Sequence, residues 1–269
     1  MKETQAFLRA LGLPEGDAHS LPTSGKRFPD GAQYRVEIPS VEGPAAMRAV
    51  IAACSEFGVG IHRISQGSGI MLLTDDEIRE MARLGREQQW EVSLFVGPRA
   101  TWEPSATALT PAGRNIGCRH RGMDQVIYAM EDIRRAMDLG IRGVLVADEG
   151  LLWLTREAKA RGFLPPELVV KISVQMGAAN PVSIRLMQEI GAGTYNPPSD
   201  LSLAQLAAIR QAIDIPLVIY VEVPDDFGGF VRHYEIPELV RVAAPVYLKF
   251  GLRNAPGIYP SGTHLGVPL

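Results

Sequence analysis

Four charged residues lie within otherwise apolar segments that have the length of β-strands. They are Glu37, Lys171, Glu222 and Lys249. A charge in such a segment is costly to bury unless an opposite charge pairs with it. Acids and lysines held together away from water can have pKa values suited to general acid/base chemistry or, for a lysine, to Schiff-base chemistry. The pattern indicates an enzyme site but does not name a reaction.

These segments belong to a regular alternation that starts at residue 34. The predicted strands are 34–38, 60–64, 91–96, 143–147, 168–174, 194–196, 217–223 and 246–250. Amphipathic helical segments separate them, which predicts parallel strands joined by crossovers. Eight such units, with no phosphate-binding fingerprint after the first strand, favour an α/β protein built as a (β/α)8 barrel. We expect one barrel domain over 34–269, preceded by an N-terminal extension over 1–33 that holds a short helix and a loop.

Strand side chains alternate between the helices and the barrel interior. The predicted interior set is Arg35 and Glu37, then Lys171, Ser173 and Gln175, then Tyr220 and Glu222, then Tyr247 and Lys249. The first, seventh and eighth strands are neighbours in a closed barrel, so Glu37, Glu222 and Lys249 are expected to be in contact. The alternative to an active site is a structural ion-pair network in the barrel core.

Loops and strand ends supply further candidates. His62 is the best-placed histidine for catalysis, although a hydrogen-bonded structural role is equally compatible with the sequence. A basic loop at 114–121 and an arginine after the last strand suit an anionic substrate group. The predicted substrate-binding residues are Gln66, Arg119, Gln175, Asn196, Tyr220 and Arg253.

A divalent metal is an open hypothesis. Asp148 and Glu149 end the fourth strand, and together with Glu222 they are oxygen ligands of the kind that hard cations take. The alternative is that they cap the following helix. The sequence has no HExxH motif and no P-loop, so no nucleotide cofactor is expected.

Composition limits the partners. The chain has 269 residues, 46% of them hydrophobic, a formal net charge of −3 and a pI near 6.0, which does not favour nucleic acid or an anionic membrane. Its two cysteines, Cys54 and Cys118, are too few for a disulfide framework. Without a signal-peptide pattern or a long apolar run, we expect a cytoplasmic protein with a small-molecule substrate; a homo-oligomer is left open.

Several segments of the second half resemble the U32 peptidase (collagenase-like) family. They are Lys171-Ile-Ser-Val-Gln-Met-Gly-Ala-Ala-Asn180, Glu189-Ile-Gly-Ala192, Asp200-Leu-Ser-Leu203, Ile219-Tyr-Val-Glu222 and Tyr247-Leu-Lys-Phe-Gly-Leu-Arg253 with Tyr259. The resemblance spans roughly 140–260 and implies a barrel with Glu222, Lys249 and Arg253 at its site. The family's Val-His-Gly-Ala-x-Cys run is replaced here by residues 224–229. The cysteines that hold an iron–sulfur cluster in some members are missing, so no such cluster is expected.

The leading hypothesis is an enzyme that acts on a small polar, anionic substrate by general acid/base proton transfer next to a carbonyl, as an isomerase, epimerase or lyase. Glu222 would act as acid or base, and Lys249 would hold charge or form a Schiff base. Glu37, His62 and Lys171 complete the predicted catalytic set. The rival hypotheses are a peptidase or amide hydrolase, with or without a divalent metal, and a non-catalytic binding barrel.

Overall fold

The strands that position the interior charges form a closed parallel barrel in the order β1 to β8. The structure is a computed structural model that describes residues 1–102, 106–111, 113 and 116–251. The strands are β1 Tyr34–Ile38, β2 Arg63–Ser65, β3 Glu91–Phe95, β4 Gly143–Val146, β5 Val169–Ile172, β6 Thr194–Tyr195, β7 Leu217–Glu222 and β8 Val246–Phe250. The predicted (β/α)8 barrel is therefore confirmed.

Helices follow the strands along the chain and cover the outside of the barrel. They are α1 Lys2–Ala10, α2 Pro44–Phe57, α3 Asp75–Gln88, α4 Gly122–Asp138, α5 Glu149–Ala160, α6 Pro181–Glu189, α7 Leu203–Ala212 and α8 Ile236–Ala243. α1 precedes the barrel, and the other seven each follow one of β1 to β7. Sequence-level signals fix several of their starts. Thr74 forms a capping box with Glu77 at the start of α3, and Asn180 caps α6 just before Pro181.

The core is the layer between strands and helices. One apolar cluster runs from Met47 on α2 to Leu248 on β8 and contains the helix-facing side chains of the strands. Because this layer accepts only apolar side chains, the charged residues of the strands are directed to the interior of the barrel. In the part of the chain that is described, no helix is both long and apolar enough to cross a membrane.

The second strand differs from its prediction. It was expected over 60–64, but it pairs with β1 from Arg63, opposite Glu37, and ends at Ser65. The reason is that His62 still belongs to the loop before the strand, where its backbone N–H donates to the Val36 carbonyl at 2.9 Å. Residues 60–62, which the apolar pattern placed in the strand, therefore lie outside it.

The loop between α1 and β1 closes part of the N-terminal mouth of the barrel. Phe28 is buried and packs with Val218 and Tyr247. Its ring meets that of Tyr247 edge to face, with centroids 5.2 Å apart, and the guanidinium of Arg35 lies 4.4 Å from its centroid. Such ring and cation contacts add to the apolar area that the side chain buries. Phe28 thus anchors the N-terminal extension to the barrel floor.

We expect Phe28→Ala to lower the free energy of unfolding by about 3 kcal/mol, because the substitution leaves a cavity beneath Tyr247. Urea denaturation followed by circular dichroism measures this change. Phe57→Ala is the matched control, since Phe57 is 71% exposed at the end of α2 and its loss should change stability little. Equal effects of the two substitutions would show that the extension does not stabilise the barrel.

Candidate functional site

The Glu37 carboxylate is the centre of the interior charges. It is fully buried on β1. Lys171 Nζ donates to its Oε1 atom, Ser65 Oγ donates to the same oxygen at 2.8 Å, and Lys249 Nζ lies 3.4 Å from it. The Arg63 guanidinium lies 3.5 Å from Oε2. One carboxylate therefore holds three basic side chains, which come from three different strands.

Strand register explains this convergence. The ladder places Lys249 of β8 and Arg63 of β2 directly beside Glu37 on β1. Lys171 comes from β5, on the opposite side of the barrel, and its long side chain crosses the interior to reach the same oxygen. The predicted contact of Glu37 with Lys249 is present, and Lys171 joins it.

A second charged layer lies nearer the N-terminal ends of the strands. Glu91, the first residue of β3, accepts hydrogen bonds from Arg63 Nε at 2.9 Å, Arg35 Nη1 at 2.7 Å and the Tyr247 hydroxyl at 2.6 Å. The Arg63 guanidinium also lies over the Tyr247 ring, 3.7 Å from its centroid. All its partners are protein groups, so this layer is occupied by structural interactions.

The cluster contains more basic groups than acidic ones. The basic groups are Arg35, Arg63, Lys171 and Lys249, and the acidic groups are Glu37, Glu91 and Asp30, which contacts Arg35 at 3.1 Å. The basic groups exceed the carboxylates by one, and two of the carboxylates, Asp30 and Glu91, are partly exposed. Arginine does not deprotonate in proteins, so a lysine is the group whose protonation responds to burial.

Lys171 is that lysine. Burial lowers its pKa well below the usual lysine range, and the neighbouring cations Lys249 and Arg63 lower it further, against the attraction of Glu37. Burial also acts against the charge of Lys249, but the Tyr220 hydroxyl and Glu37 outweigh it and raise the pKa. Burial alone would raise the pKa of Glu37, yet its cations hold it well below the usual range. Two lysines whose pKa values shift in opposite directions therefore share one carboxylate.

Polar side chains surround the opening at the C-terminal ends of the strands. Asn196, just after β6, and Ser199 are buried, and neither Asn196 Oδ1 nor Ser199 Oγ has a hydrogen-bond partner in the described part of the chain. A cavity of about 990 Å³ lies here, lined by Ser199, Gln175, Arg119 and Phe227, among others. Buried polar atoms without partners beside a cavity mark a place where a ligand can complete the hydrogen bonds.

Tyr220 lies between the lysine pair and the opening at the C-terminal ends of the strands. Its ring is 4.2 Å from Lys249 Nζ and stacks on Phe227, with centroids 6.2 Å apart. It therefore borders both the lysine pair and the mouth, in agreement with its predicted interior position.

Glu222 does not make the predicted contact with Lys249. The register of β7 and β8 shifts between Tyr220 and Glu222, so that Tyr220 pairs with Lys249 and Glu222 with Phe250. The bulge carries Glu222 towards the mouth, where its side chain is 34% exposed and its carboxylate lies 3.9 Å from His233 Nε2. A bulge of this kind re-aims a side chain and is not visible in a period-two pattern.

Two other predicted residues also lie away from the lysine pair. His62 is exposed before β2, at the N-terminal end of the barrel, and its Nδ1 accepts from the Val36 backbone N–H at 3.2 Å. Gln66 is buried, but it donates to Ser68 Oγ at 2.6 Å and to the Gly69 carbonyl at 2.9 Å. Its side chain therefore fixes the loop that follows β2.

The hypothetical metal ligands Asp148, Glu149 and Glu222 are not brought together. Asp148 caps α5 by accepting from the Leu151 N–H at 2.9 Å, and Glu149 forms an ion pair with Arg119. Among the described residues, no group of three or more histidine, cysteine, aspartate or glutamate side chains is arranged to hold a metal ion. The helix-capping alternative is correct for Asp148, because an acid at a helix start satisfies its free N–H groups. Arg253 and Arg114 lie outside the described residues.

Sequence reasoning missed Arg63 and Glu91, which complete the interior network. Both have the interior parity of their strands, Arg63 with Ser65 and Glu91 with Ser93. Glu91 is the first residue of its strand, where a charge is indistinguishable from a loop residue. Arg63 lies inside the strand predicted over 60–64, but the sequence favoured His62, of the opposite parity, as the functional residue there.

Outside the barrel interior, Asp132 on α4 is a buried carboxyl group. It accepts from the Gly97 backbone N–H at 3.1 Å. Burial raises its pKa from the ordinary 3.8 to about 7, against the opposing effects of that hydrogen bond and of Arg135 and Arg99. It lies behind the end of β3, on the helix side.

Comparison with known proteins supports the barrel and the family resemblance. The model of peptidase family U32 matches residues 115–222, so the resemblance predicted from the sequence is confirmed over that range. No curated protein matches the chain.

Solved structures of similar fold include several barrel proteins. The YdjI aldolase from Escherichia coli K12 is 16% identical, with a TM-score of 0.53 over 82% of this chain and 76% of that one. A Rubisco-like protein from Rhodopseudomonas palustris is 15% identical, with a TM-score of 0.53 over 92% of this chain and 67% of that one. The U32 peptidase Mk0906 is 13% identical, with a TM-score of 0.48 over 83% and 94%. At such identities, the likeness to the first two shows the shared fold.

We expect Glu37→Gln to lower the free energy of unfolding at pH 7 by about 3–5 kcal/mol, because the change leaves buried cations without their shared carboxylate. The folded-state pKa of Glu37 is depressed below its ordinary 4.5. Its stabilisation is therefore present above pH 4.5 and lost as the pH falls further, so the difference between variant and wild type should shrink towards pH 3. Urea denaturation at several pH values measures this. Glu80→Gln, which removes a surface carboxylate, 24% exposed and paired with Arg48 and Arg83, should have little effect; a similar loss in both variants would contradict the assignment.

Asp132→Asn should stabilise the protein in alkaline solution. The folded-state pKa of Asp132 is raised, so the carboxyl favours folding below pH 3.8 and progressively disfavours it as the pH rises through about 7. The amide keeps an acceptor for the Gly97 N–H but carries no charge. We expect a gain of roughly 1–3 kcal/mol at pH 8 and a smaller one at pH 4.5, measured by urea denaturation. Asp138→Asn, on the exposed end of the same helix, is the control. A loss of stability at pH 8 in the Asp132 variant would show that its ionised form is favoured in the fold.

Proposed function

We propose that this chain is an enzyme that transfers a proton at a carbon next to the carbonyl group of a small anionic substrate. The reaction class is that of an isomerase, epimerase or lyase. The observation that carries the proposal is the contact of two buried lysines with the single carboxylate of Glu37, with the pKa of Lys171 lowered by burial and that of Lys249 raised. In the proposed mechanism Lys171 is the neutral amine and Lys249 the ammonium.

The two lysines have complementary properties for this chemistry. A neutral amine can accept a proton from carbon, and an adjacent ammonium can stabilise the negative charge that develops on the carbonyl oxygen. When Lys171 takes the proton, its new charge is offset by Glu37, to which it already donates. Both lysines contact the same Glu37 oxygen, so the proton can be redistributed within the pair. Return of the proton gives an isomer or epimer, and loss of a group from the next carbon gives a lyase product.

The same neutral amine supports a Schiff-base variant of the proposal. Lys171 Nζ would attack the carbonyl carbon, and loss of water would leave a carbon–nitrogen double bond that withdraws electrons from the neighbouring carbon. Lys249 would then hold an anionic group of the substrate. In either variant the reaction depends on an amine with a depressed pKa.

The mouth supports a polar, anionic substrate. Asn196 Oδ1 and Ser199 Oγ are available to hydrogen-bond a bound molecule. Arg119 lines the cavity while paired with Glu149, and Arg253 stays a predicted anchor for the substrate anion. Glu222, partly exposed beside His233, is our candidate for exchanging protons between the site and solvent.

Amide-bond hydrolysis is the second candidate, because the model of peptidase family U32 matches residues 115–222. Hydrolysis needs an activated water and a stabilised oxyanion. The Lys171–Lys249 pair can serve as base and oxyanion partner there as well, so only the substrate distinguishes the two candidates.

Proton exchange in deuterium oxide tests the leading candidate. A panel of small 2-oxo acids and 2-hydroxy acids is incubated with the protein, and loss of the carbon-bound proton signal is followed by NMR. We expect exchange with at least one of these acids, and Lys171→Met should reduce its rate at least a hundredfold because it removes the base. Lys159→Met is the matched control, since Lys159 lies on α5 and donates to the Leu168 carbonyl outside the interior.

Borohydride reduction with the active substrate separates the two variants. A reduced adduct mapped to Lys171 by mass spectrometry supports the Schiff base, and exchange without an adduct supports direct proton abstraction. Absence of exchange across the panel, together with cleavage of peptide substrates that Lys171→Met abolishes, would replace the proposal with the hydrolase. Exchange that survives Lys171→Met would remove Lys171 from the mechanism.

A further inference from the structure

A second cavity, of about 310 Å³, opens at the N-terminal end of the barrel, opposite the proposed active site. Its apolar wall is formed by Ala82, Trp90, Val92, Ile141 and Val169. Its inner end contains the buried residues Arg63, Ser93 and Lys171, and its outer rim contains Arg86 and Arg142, which are exposed. Its inner end reaches Lys171, the proposed base, whereas its apolar wall and its rim have no role in the proposed reaction.

The cavity exists because the floor of the barrel is only half filled. Phe28 packs with Val218 and Tyr247 beneath β7 and β8. On the side of β3 to β5, Gly143 contributes no side chain to the floor. A Cβ at this position would lie 2.8 Å from the Val92 carbonyl oxygen, so strand packing requires glycine and leaves the space open.

The charges around the cavity favour an anion. Four basic residues line it, namely Arg63, Arg86, Arg142 and Lys171, and one carboxylate, Glu91. That carboxylate already accepts hydrogen bonds from Arg63, Arg35 and Tyr247. At the rim, Arg142 Nε lies 3.4 Å from Glu167 Oε1, whereas Arg86 forms no ion pair within the described part of the chain. An anionic group at the rim would therefore meet one guanidinium, that of Arg86, whose charge no carboxylate neutralises there.

A second feature points to a ligand at the inner end. Ser93 is 3% exposed, and its Oγ has no hydrogen-bond partner in the described part of the chain. A hydroxyl group rarely stays unpaired when buried, because the missing hydrogen bond costs free energy. Here it lines a cavity whose wall is largely apolar, which suits a flat apolar molecule with one polar substituent at its inner end.

From these observations we infer that the N-terminal cavity binds a small aromatic carboxylate that carries a hydroxyl group at the opposite end of its ring. The carboxylate lies at the rim with Arg86 and Arg142. The ring packs between Trp90, Val92 and Ile141, and the hydroxyl hydrogen-bonds Ser93 Oγ. The inference concerns binding at the N-terminal end and does not rest on the proposed reaction.

The test uses the full chain labelled with 5-fluorotryptophan and titrated with 4-hydroxybenzoate. The chain has three tryptophans, and Trp90→Phe assigns the fluorine resonance of the one that lines the cavity. We expect a saturable shift of the Trp90 resonance, while Trp102 and Trp153 serve as internal controls. Benzoate should bind about tenfold more weakly because it lacks the hydroxyl, and neutral 4-hydroxybenzamide should bind more weakly still.

Variants test each end of the site separately. Arg86→Gln should weaken binding of both acids at least fivefold, whereas Arg79→Gln, on the same helix but paired with Asp75 and Asp76, should leave binding unchanged. Ser93→Ala should abolish the preference for 4-hydroxybenzoate over benzoate, and thermal melting confirms that each variant is folded.

Two results would overturn the inference. One is the absence of a saturable Trp90 shift at millimolar 4-hydroxybenzoate in the unmodified protein, which requires no variant to fold. The other is binding of the neutral amide as tight as that of the acid, which would show that the rim cations do not select the ligand.

Discussion

The interior of this barrel depends on one ion cluster, in which the buried carboxylate of Glu37 holds Lys171, Lys249 and Arg63. A buried ion pair can be replaced by apolar residues without loss of stability, so an ion cluster of this size is a poor way to stabilise a fold. The basic and acidic groups that make up this cluster say more about its role than the existence of the cluster does. Burial and the neighbouring cations lower the pKa of Lys171, which favours its neutral form, and a neutral buried lysine is a reactive group.

The position of each charged residue along the barrel axis distinguishes the structural interactions from the candidate catalytic groups. Glu91 and Arg35 are at the N-terminal layer, where Tyr247 and Phe28 complete their contacts. Towards the other end, Asn196 and Ser199 have buried oxygen atoms without hydrogen bonds in the described part of the chain, and Ser199 lines a cavity. Barrel enzymes place their sites at the C-terminal ends of the strands. The lysine pair lies between the two ends, fixed from below by Arg63 and the layer around Glu91.

The sequence predicted the barrel and four of the interior charges because both depend on local periodicity. Alternation of apolar residues placed Arg35, Glu37, Lys171 and Lys249 inside, as the structure does. The predicted positions of Glu222 and His62 differ from the structure, because the alternation of side chains along a strand does not show a bulge or the residue at which a strand starts. A bulge in β7 shifts Glu222 towards the mouth, and the late start of β2 leaves His62 in a loop. Contact across the barrel, as between Lys171 on β5 and Glu37 on β1, is set by closure of the sheet, which a single strand's pattern does not encode.

The two lysines differ although they share one carboxylate, and the difference comes from their other neighbours. Lys249 has the Tyr220 ring and hydroxyl beside it, and a ring face and an oxygen both favour the charged form. Lys171 has Ser65 Oγ at 3.3 Å and the cations Lys249 and Arg63 nearby, which favour the neutral form. Exchanging the two environments would exchange the two protonation states. The assignment of base and charge holder therefore follows from Tyr220 and Arg63, two residues that need not touch the substrate.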